Sequence, residues 1–152
     1  MKLSKRKFTK IISFSALLLL FPIKTLLAAN KKIINPNLSK EQKNIMFNEG
    51  TERPFTSELL KEKRKGFYHC ANCGNKLFAS TAKFDSGTGW PSFSEALPGA
   101  FKTKIDYSFG MERVEYHCAK CGAHHGHVFN DGPKESGKRF CNNGLCLIFK
   151  PE

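Results

Sequence analysis

The sequence predicts a small antiparallel β domain, mainly β, with a short helical segment at its N-terminal end. Three observations predict it. Apolar residues alternate in short runs, Gly, Ser, Asn and Asp punctuate the chain after Gly66, and a capping box stands ahead of them. In Ser39-Lys40-Glu41-Gln42 a hydroxyl precedes an amide side chain by three residues, so each can meet an unpaired N–H at a helix start. Gly50 is expected to end that helix, and a further helical turn or two is expected over residues 57–63, after Pro54. Ile105, Tyr107 and Phe109 alternate, Gly110 interrupts, and Val114, Tyr116 and Cys118 alternate again, which predicts a hairpin over residues 102–118. Leu145, Leu147 and Phe149 predict one more strand.

The 152 residues suffice for one domain, and 40% apolar with 25% charged residues is globular rather than disordered or fibrous composition. The net charge of +12 is uneven: residues 1–29 hold six of the 25 Lys and Arg and none of the 13 acids, so +6 remains without them. That remainder is not gathered in any one run, which weakens the case for nucleic acid as a partner. The same 29 residues run from a positive start through the apolar stretch Ile11 to Phe21 to Leu26-Leu27-Ala28-Ala29, the order of a secretory signal peptide. Pro22 and Lys24 close an eleven-residue apolar core, short of the roughly 20 residues a spanning helix needs, so a cleaved signal is favoured over a retained anchor. Ser4 to Lys10 also resembles a twin-arginine signal, with Lys5 in place of the first arginine. The expected location is a bacterial periplasm or cell envelope, with membrane contact only through the export signal.

Tyr68-His69-Cys70-Ala71-Asn72-Cys73-Gly74 recurs as Tyr116-His117-Cys118-Ala119-Lys120-Cys121-Gly122. Each Cys-x-x-Cys turn aims two thiolates at one point, and the glycine behind it permits the turn. Two such turns supply the four ligands of a structural Zn²⁺, with Cys70, Cys73, Cys118 and Cys121 as the set. The competing reading is redox, since an exported protein with six cysteines could hold disulfides. Duplication of the whole heptapeptide favours metal.

Two cysteines remain. Cys141 follows Lys138-Arg139-Phe140 and precedes Asn142-Asn143-Gly144, so a fixed positive charge and amide donors favour its thiolate. Cys146, inside Leu145-Cys146-Leu147-Ile148-Phe149, reads as a small buried hydrophobe. His124, His125 and His127 follow the second knuckle, and an extended backbone would turn His125 away from His124. They suit either a second metal site, surface imidazoles or acid catalysis beside a thiolate. Trp90 stands between Gly87-Thr88-Gly89 and Pro91, a tight loop that would present the indole at a surface rather than in the core.

Taken together these residues resemble the type B methionine sulfoxide reductases, which act on the R epimer of methionine sulfoxide. The resemblance runs through Gly50-Thr51-Glu52, Pro54-Phe55-Thr56, both knuckles, residues 83–93, Cys121 to His124, Gly126 to Phe129, Asp131-Gly132-Pro133 and Arg139-Phe140-Cys141. The resemblance covers residues 38–150 as the reductase domain, behind the expected signal peptide over 1–29 and a linker over 30–37, and it implies a fold of two small antiparallel sheets with one structural zinc. It further implies Cys141 as nucleophile, Trp90 as the indole that receives the sulfoxide methyl, and His124, His127 and Asn143 around the sulfoxide oxygen. Arg139 and Asp131 would shape the same pocket. Cys141 would pass through a sulfenic acid, with a protonated His124 or His127 as acid, and a thioredoxin-like thiol donor would restore it. The implied substrates are oxidised proteins or peptides, and the implied role is repair under oxidative stress. Many relatives carry a resolving cysteine where this chain has Thr88, so direct reduction by an external thiol is favoured over a Cys141–Cys146 disulfide. A second reading, from another class, is a zinc-knuckle binding module for anionic partners without catalysis; it leaves Trp90, His127 and Cys141 without a role.

Overall fold

A computed structural model describes residues 31–152, the side chain of Phe109 excepted. The expected address over residues 1–29 therefore lies outside the described residues. The chain forms nine strands in two antiparallel sheets, with one α-helix and four single 3-10 turns among the described residues.

Helix α1 (Lys40–Asn48) starts as the capping box predicts. Ser39 Oγ accepts from Gln42 N–H at 3.0 Å and Gln42 Oε1 accepts from Ser39 N–H at 2.9 Å. Its end differs by one residue from expectation, because Glu49 and not Gly50 adopts the left-handed conformation, with φ 59°. A left-handed non-glycine residue costs about 1–2 kcal/mol, and here the Glu49 carboxylate lies 2.7 Å from both Lys31 Nζ and Lys104 Nζ. Gly50 serves a different need, since a Cβ there would come within 2.7 Å of Asn44 Nδ2. The helical turns expected over 57–63 reduce to one 3-10 turn, Glu58–Leu60, capped by Ser57.

Strand β1 (Gly66–Cys70) is central to the smaller sheet, between β2 (Lys76–Ala79) and β9 (Leu147–Pro151). The larger sheet has the order β3 (Lys83–Phe84), β4 (Ser92–Phe93), β8 (Arg139–Asn142), β7 (His124–Phe129), β6 (Arg113–Cys118) and β5 (Phe101–Asp106). The predicted hairpin is β5–β6, turned by residues 107–112. Its first arm is an edge strand, so the alternation through Ile105 and Tyr107 marks no buried face: these side chains are 46% and 70% exposed. Lys102 and Lys104 on that edge discourage pairing with another chain.

The last strand begins at Leu147 rather than Leu145. Gly144 and Leu145 instead donate their N–H groups to Glu52 Oε2, so the chain makes the 3-10 turn Gly144–Cys146 before it joins the ladder. Aromatic rings bind the two sheets to each other. Phe78 of β2 stacks on Phe93 of β4 at 4.0 Å between centroids, and Tyr68 of β1 meets the same ring edge-on at 4.9 Å. Such contacts contribute about 0.5–1.5 kcal/mol each beyond their buried area.

Candidate active site and metal centre

The two knuckles follow β1 and β6. In each, the glycine behind the second cysteine donates its N–H to the carbonyl of the first at 2.8 Å, with φ of 70° at Gly74 and 71° at Gly122. That conformation suits glycine and closes the turn. The turns converge: the four Sγ atoms of Cys70, Cys73, Cys118 and Cys121 lie within 4.8 Å of one another. Cys70 to Cys121 is 3.8 Å and Cys73 to Cys118 is 3.6 Å. Tetrahedral Zn²⁺ with Zn–S of about 2.3 Å spaces its sulfurs by about 3.8 Å, whereas a disulfide needs about 2.05 Å. The donor set and its spacing fit zinc. Asn75 Nδ2 donates toward Cys118 Sγ at 3.7 Å, and His125 Nε2 lies 3.4 Å from Cys70 Sγ, so the sulfurs also have N–H partners.

On the other side of β7 lies a cavity of about 120 Å³, lined by Trp90, His127, Cys141, Asn143, Thr51 and Phe129 among others. Drug-sized ligands occupy about 300–1,000 Å³, so this space suits the end of one side chain. Sheet register builds it. His127 of β7 and Ser92 of β4 both pair with Cys141 of β8, which sets their side chains on one face. Gly126 is required next to this pair, because a Cβ there would stand 1.9 Å from the Cys141 carbonyl oxygen. Trp90 arrives on the loop expected of it, with positive φ at Gly87 and Gly89, and its Nε1–H donates to the Glu52 carbonyl at 2.9 Å.

His125 turns away from His124 as an extended backbone predicts, but His127 lies beside His124, at 5.6 Å between ring centroids, because the β6–β7 register shifts within this stretch. His125 is fully buried against the cysteine cluster, and burial pushes its imidazole down to about 3, so it is neutral. His124 is buried behind the cavity rather than lining it, and its Nδ1 pairs with Glu115 Oε1 at 2.8 Å. Burial opposes a charge on Glu115, yet the His124 and Lys104 contacts hold its carboxyl below the ordinary range. His127 lines the cavity, and its Nε2 bonds Asp106 Oδ2 at 2.8 Å. Burial lowers the His127 pKa, opposed by Asp106.

At Cys141 the positive neighbour does not win. Burial raises the thiol pKa, and Arg139 and the Thr88 hydroxyl only partly oppose it. Arg139 is itself occupied: Nε and Nη2 bind the two Asp131 oxygens at 2.9 and 2.8 Å, and the guanidinium lies 4.5 Å from the Phe129 ring centroid. Burial thus favours the neutral Cys141 thiol over the thiolate its sequence neighbours favour. Asn143 lines the cavity, but its amide is committed: Oδ1 accepts from Glu52 N–H at 2.9 Å and Nδ2 donates to the His125 carbonyl at 3.0 Å.

A family model described as the SelR domain matches residues 38–151. "Peptide methionine sulfoxide reductase MsrB" of Methanosarcina barkeri is 48% identical over 80% of this chain and 84% of its own. The proteins of the same name from Variovorax paradoxus and Thiobacillus denitrificans are 57% and 51% identical, over 66% and 76% of this chain and 74% and 88% of theirs. The chain belongs to the SelR-domain, MsrB family. Among solved structures the Mis18 "Yippee-like" domain aligns over 59% of this chain and 98% of its own at a TM-score of 0.49 and 16% identity, too distant to bear on function.

Within this MsrB-family domain, sequence reasoning missed the acids that hold the site. Asp106 receives His127 and Arg113 Nη2, the latter at 2.6 Å, as well as both donors of Ser108. Cross-strand pairing of Asp106 with Arg113, and of Glu115 with both Lys104 and His127, was the available signal. Glu52 carried none beyond its place in the Gly50-Thr51-Glu52 match. It is 3% exposed, and three of its groups act at once: the carbonyl pins Trp90, the N–H pins Asn143, and the carboxylate holds Gly144 and Leu145.

Glu52→Ala therefore leaves two N–H donors unpaired and is expected to cost about 2–4 kcal/mol in urea unfolding. Glu52→Gln keeps an oxygen acceptor and is expected to cost under about 1 kcal/mol at low pH. Burial raises the Glu52 pKa above its ordinary 4.5 on folding, so its charge opposes the folded state. Below 4.5 the proton is present in both states and the wild type suffers no penalty. As pH rises through the raised folded pKa the wild type loses stability relative to the Gln variant. A Gln variant that falls as far as Ala at all pH would show that the charge itself is needed.

Proposed function

We propose that this MsrB-family protein reduces peptide-bound methionine (R)-sulfoxide to methionine, with Cys141 as the nucleophile. The observation that carries the reading is the single cavity in which the Cys141 thiol, the His127 imidazole and the Trp90 indole meet. The indole offers an apolar surface to the sulfoxide methyl, while His127 lies on the polar side with the oxygen. Fixing methyl and oxygen against different walls leaves one orientation of the chiral sulfur exposed to Cys141.

The proton inventory favours Cys141 itself as the source of acid. The thiol is protonated at rest and burial disfavours a proton on His127. Cys141 gives its proton to the cavity, where His127 relays it to the sulfoxide oxygen as sulfur attacks sulfur. The protonated oxygen then passes to the Cys141 sulfur: its bond to the methionine sulfur and the new bond between the sulfurs break, the methionine sulfur keeps two electrons as the thioether, and Cys141 is left as a sulfenic acid. No second acid is needed, since thiol plus sulfoxide equals sulfenic acid plus thioether. Asp106 orients His127, while His124, Asn143 and the Arg139–Asp131 pair hold the walls rather than the reacting atoms.

Two external thiols then return Cys141 to the thiol, releasing water and a disulfide. Cys146 is a poor substitute, because the 3-10 turn carries its thiol into the core, where it is fully buried. Zinc held by Cys70, Cys73, Cys118 and Cys121 would cross-link the two knuckles and fix β1 to β6; its four-sulfur shell leaves no position for substrate. The signal-like residues 1–29 support a site of action in the periplasm or cell envelope, with a thioredoxin-like donor suited to that compartment.

The test uses the protein lacking residues 1–29 and separated R and S epimers of a peptide methionine sulfoxide, with dithiothreitol as reductant. The R epimer is expected to be consumed with the S epimer unchanged over the same interval. Consumption of both at similar rates, or of neither, would overturn the assignment.

A further inference from the structure

The two knuckles are near copies in sequence and unlike in their surroundings. At the third position of the Cys-x-x-Cys turn the first carries Asn72 and the second Lys120. Lys120 is exposed, whereas Asn72 is 2% exposed and bonded to residues 31–37, the stretch expected as a linker. Those residues form no helix or strand, yet they are tied to both knuckles. Asn72 Oδ1 accepts from the Ile34 and Asn35 N–H groups at 2.8 and 3.1 Å, and Asn72 Nδ2 donates to the Lys32 carbonyl at 2.7 Å. Asn35 Nδ2 adds a bond to the Ala71 carbonyl at 3.0 Å. On the second knuckle, the Cys121 carbonyl accepts from Lys32 N–H at 3.1 Å.

Both ends of this stretch are fixed to the domain. Lys31 Nζ donates to the Phe47 carbonyl at 3.0 Å and to Glu49 at 2.7 Å, and Leu38 is buried in the core. Between them Ile33 and Ile34 are 53% and 47% exposed, so burial of apolar side chains does not hold the middle down. The polar contacts do, and they need Asn72 and the Cys121 carbonyl at one spacing. That spacing lasts while the two knuckles converge, as their four sulfurs do. We propose that residues 31–37 form a strap across the metal centre that retains its zinc, with Asn72 as the positioning residue that holds the strap.

Asparagine suits this position because its amide is donor and acceptor at once. The Ile34 and Asn35 N–H groups need an acceptor and the Lys32 carbonyl needs a donor, so a lysine, as in the second knuckle, would leave two donors without a partner. A metal in a four-sulfur shell is released as its thiolates let go in turn, and the knuckles must part before it can leave. A strap that bridges the two turns opposes that parting and returns a freed thiolate to the metal. It adds no ligand of its own. The coupling is reciprocal: whatever the strap contributes to holding zinc, zinc contributes to holding the strap.

The inference rests on zinc at Cys70, Cys73, Cys118 and Cys121 and is independent of the reductase chemistry. The zinc-loaded protein lacking residues 1–29 is mixed with excess pyridylazoresorcinol, and transfer of the metal to this chelator is followed by absorbance. Asn72→Ala is expected to release zinc about tenfold faster than wild type. Lys32→Pro removes the donor to Cys121 from outside the knuckle and is expected to act in the same direction; it carries the test alone if Asn72→Ala does not fold. The double variant is expected to stay within about twofold of the faster single variant, because both changes act through one strap. Amide exchange in the zinc-loaded proteins gives a second readout. The Lys32 N–H bonds Cys121 and not Asn72, yet its protection is expected to be lost in Asn72→Ala. Wild-type release rates in the variants would overturn the proposal, as would single effects that multiply in the double variant or unchanged Lys32 protection in Asn72→Ala. A wild type that binds no zinc would overturn the metal reading together with the strap, whereas zinc bound by every variant and released at one rate would remove the strap alone.

Discussion

Cys141→Ser reduces R-sulfoxide turnover by at least about 10³-fold, more than 4 kcal/mol of transition-state stabilisation, while leaving the fold intact. The serine hydroxyl is a far weaker acid than even a buried thiol and a poor nucleophile toward sulfur, so attack, not binding, is lost. Serine fits where cysteine did, since Cys141 is only partly buried and its ladder bonds to β4 and β7 are made by backbone. Near-unchanged circular dichroism and thermal unfolding beside vanished kcat/KM is the expected pair of results. The wild type, given substrate and no reductant, should gain one oxygen on the Cys141 peptide and stop after a single turnover. Full activity in the serine variant would remove Cys141 from the chemistry and with it the cavity assignment.

Cys118→Ser has the opposite profile: it empties the metal centre and damages the fold before the chemistry. Structural zinc in small peptides contributes an apparent 10–16 kcal/mol at about pH 7, and a small domain has roughly 5–15 kcal/mol in total. This domain also has its aromatic core between the sheets, so the expected loss is about 5 kcal/mol or more rather than outright inability to fold. Cys118 is buried at the end of β6, 3.6 Å from Cys73 across the centre. The wild type should carry one zinc per chain and the variant none, with thermal unfolding markedly lowered and no further effect of chelator on the variant. Equal stability with and without zinc would remove the structural role. Cys141→Ser should leave zinc content at one, which separates the two centres experimentally.

The knuckles and the capping box were legible in the sequence because each is local: a handful of consecutive residues determines the turn or cap. The β5–β6 hairpin was legible as well, but the partners of strands distant in sequence were not, since β1 pairs with β9 across some eighty residues and no periodicity encodes that choice. The same division holds at the site. Cys141, Trp90 and His127 stand out by residue type and by resemblance, and the fold brings them to one cavity. His124 and Asn143 carry the right chemistry in sequence but spend it on Glu115, Glu52 and the His125 carbonyl. The thiolate expected beside Arg139 failed for a similar reason: charge adjacency is visible in sequence, whereas the Asp131 that claims the guanidinium and the burial that opposes ionisation are tertiary.

The pairing of β1 with the final strand has a consequence for the order of assembly. Gly66 faces Pro151 and Cys70 faces Leu147 in the ladder, and Glu52 waits for Asn143, Gly144 and Leu145. Contacts this distant along the chain form late and close large loops, so the smaller sheet cannot be completed, nor Trp90 and Asn143 clamped to Glu52, until the last residues have been synthesised. Under the proposed function, Cys141 is therefore made before its cavity is complete and gains its selectivity only at the end of folding. A nascent or C-terminally clipped chain would expose a reactive thiol without the walls that choose its substrate.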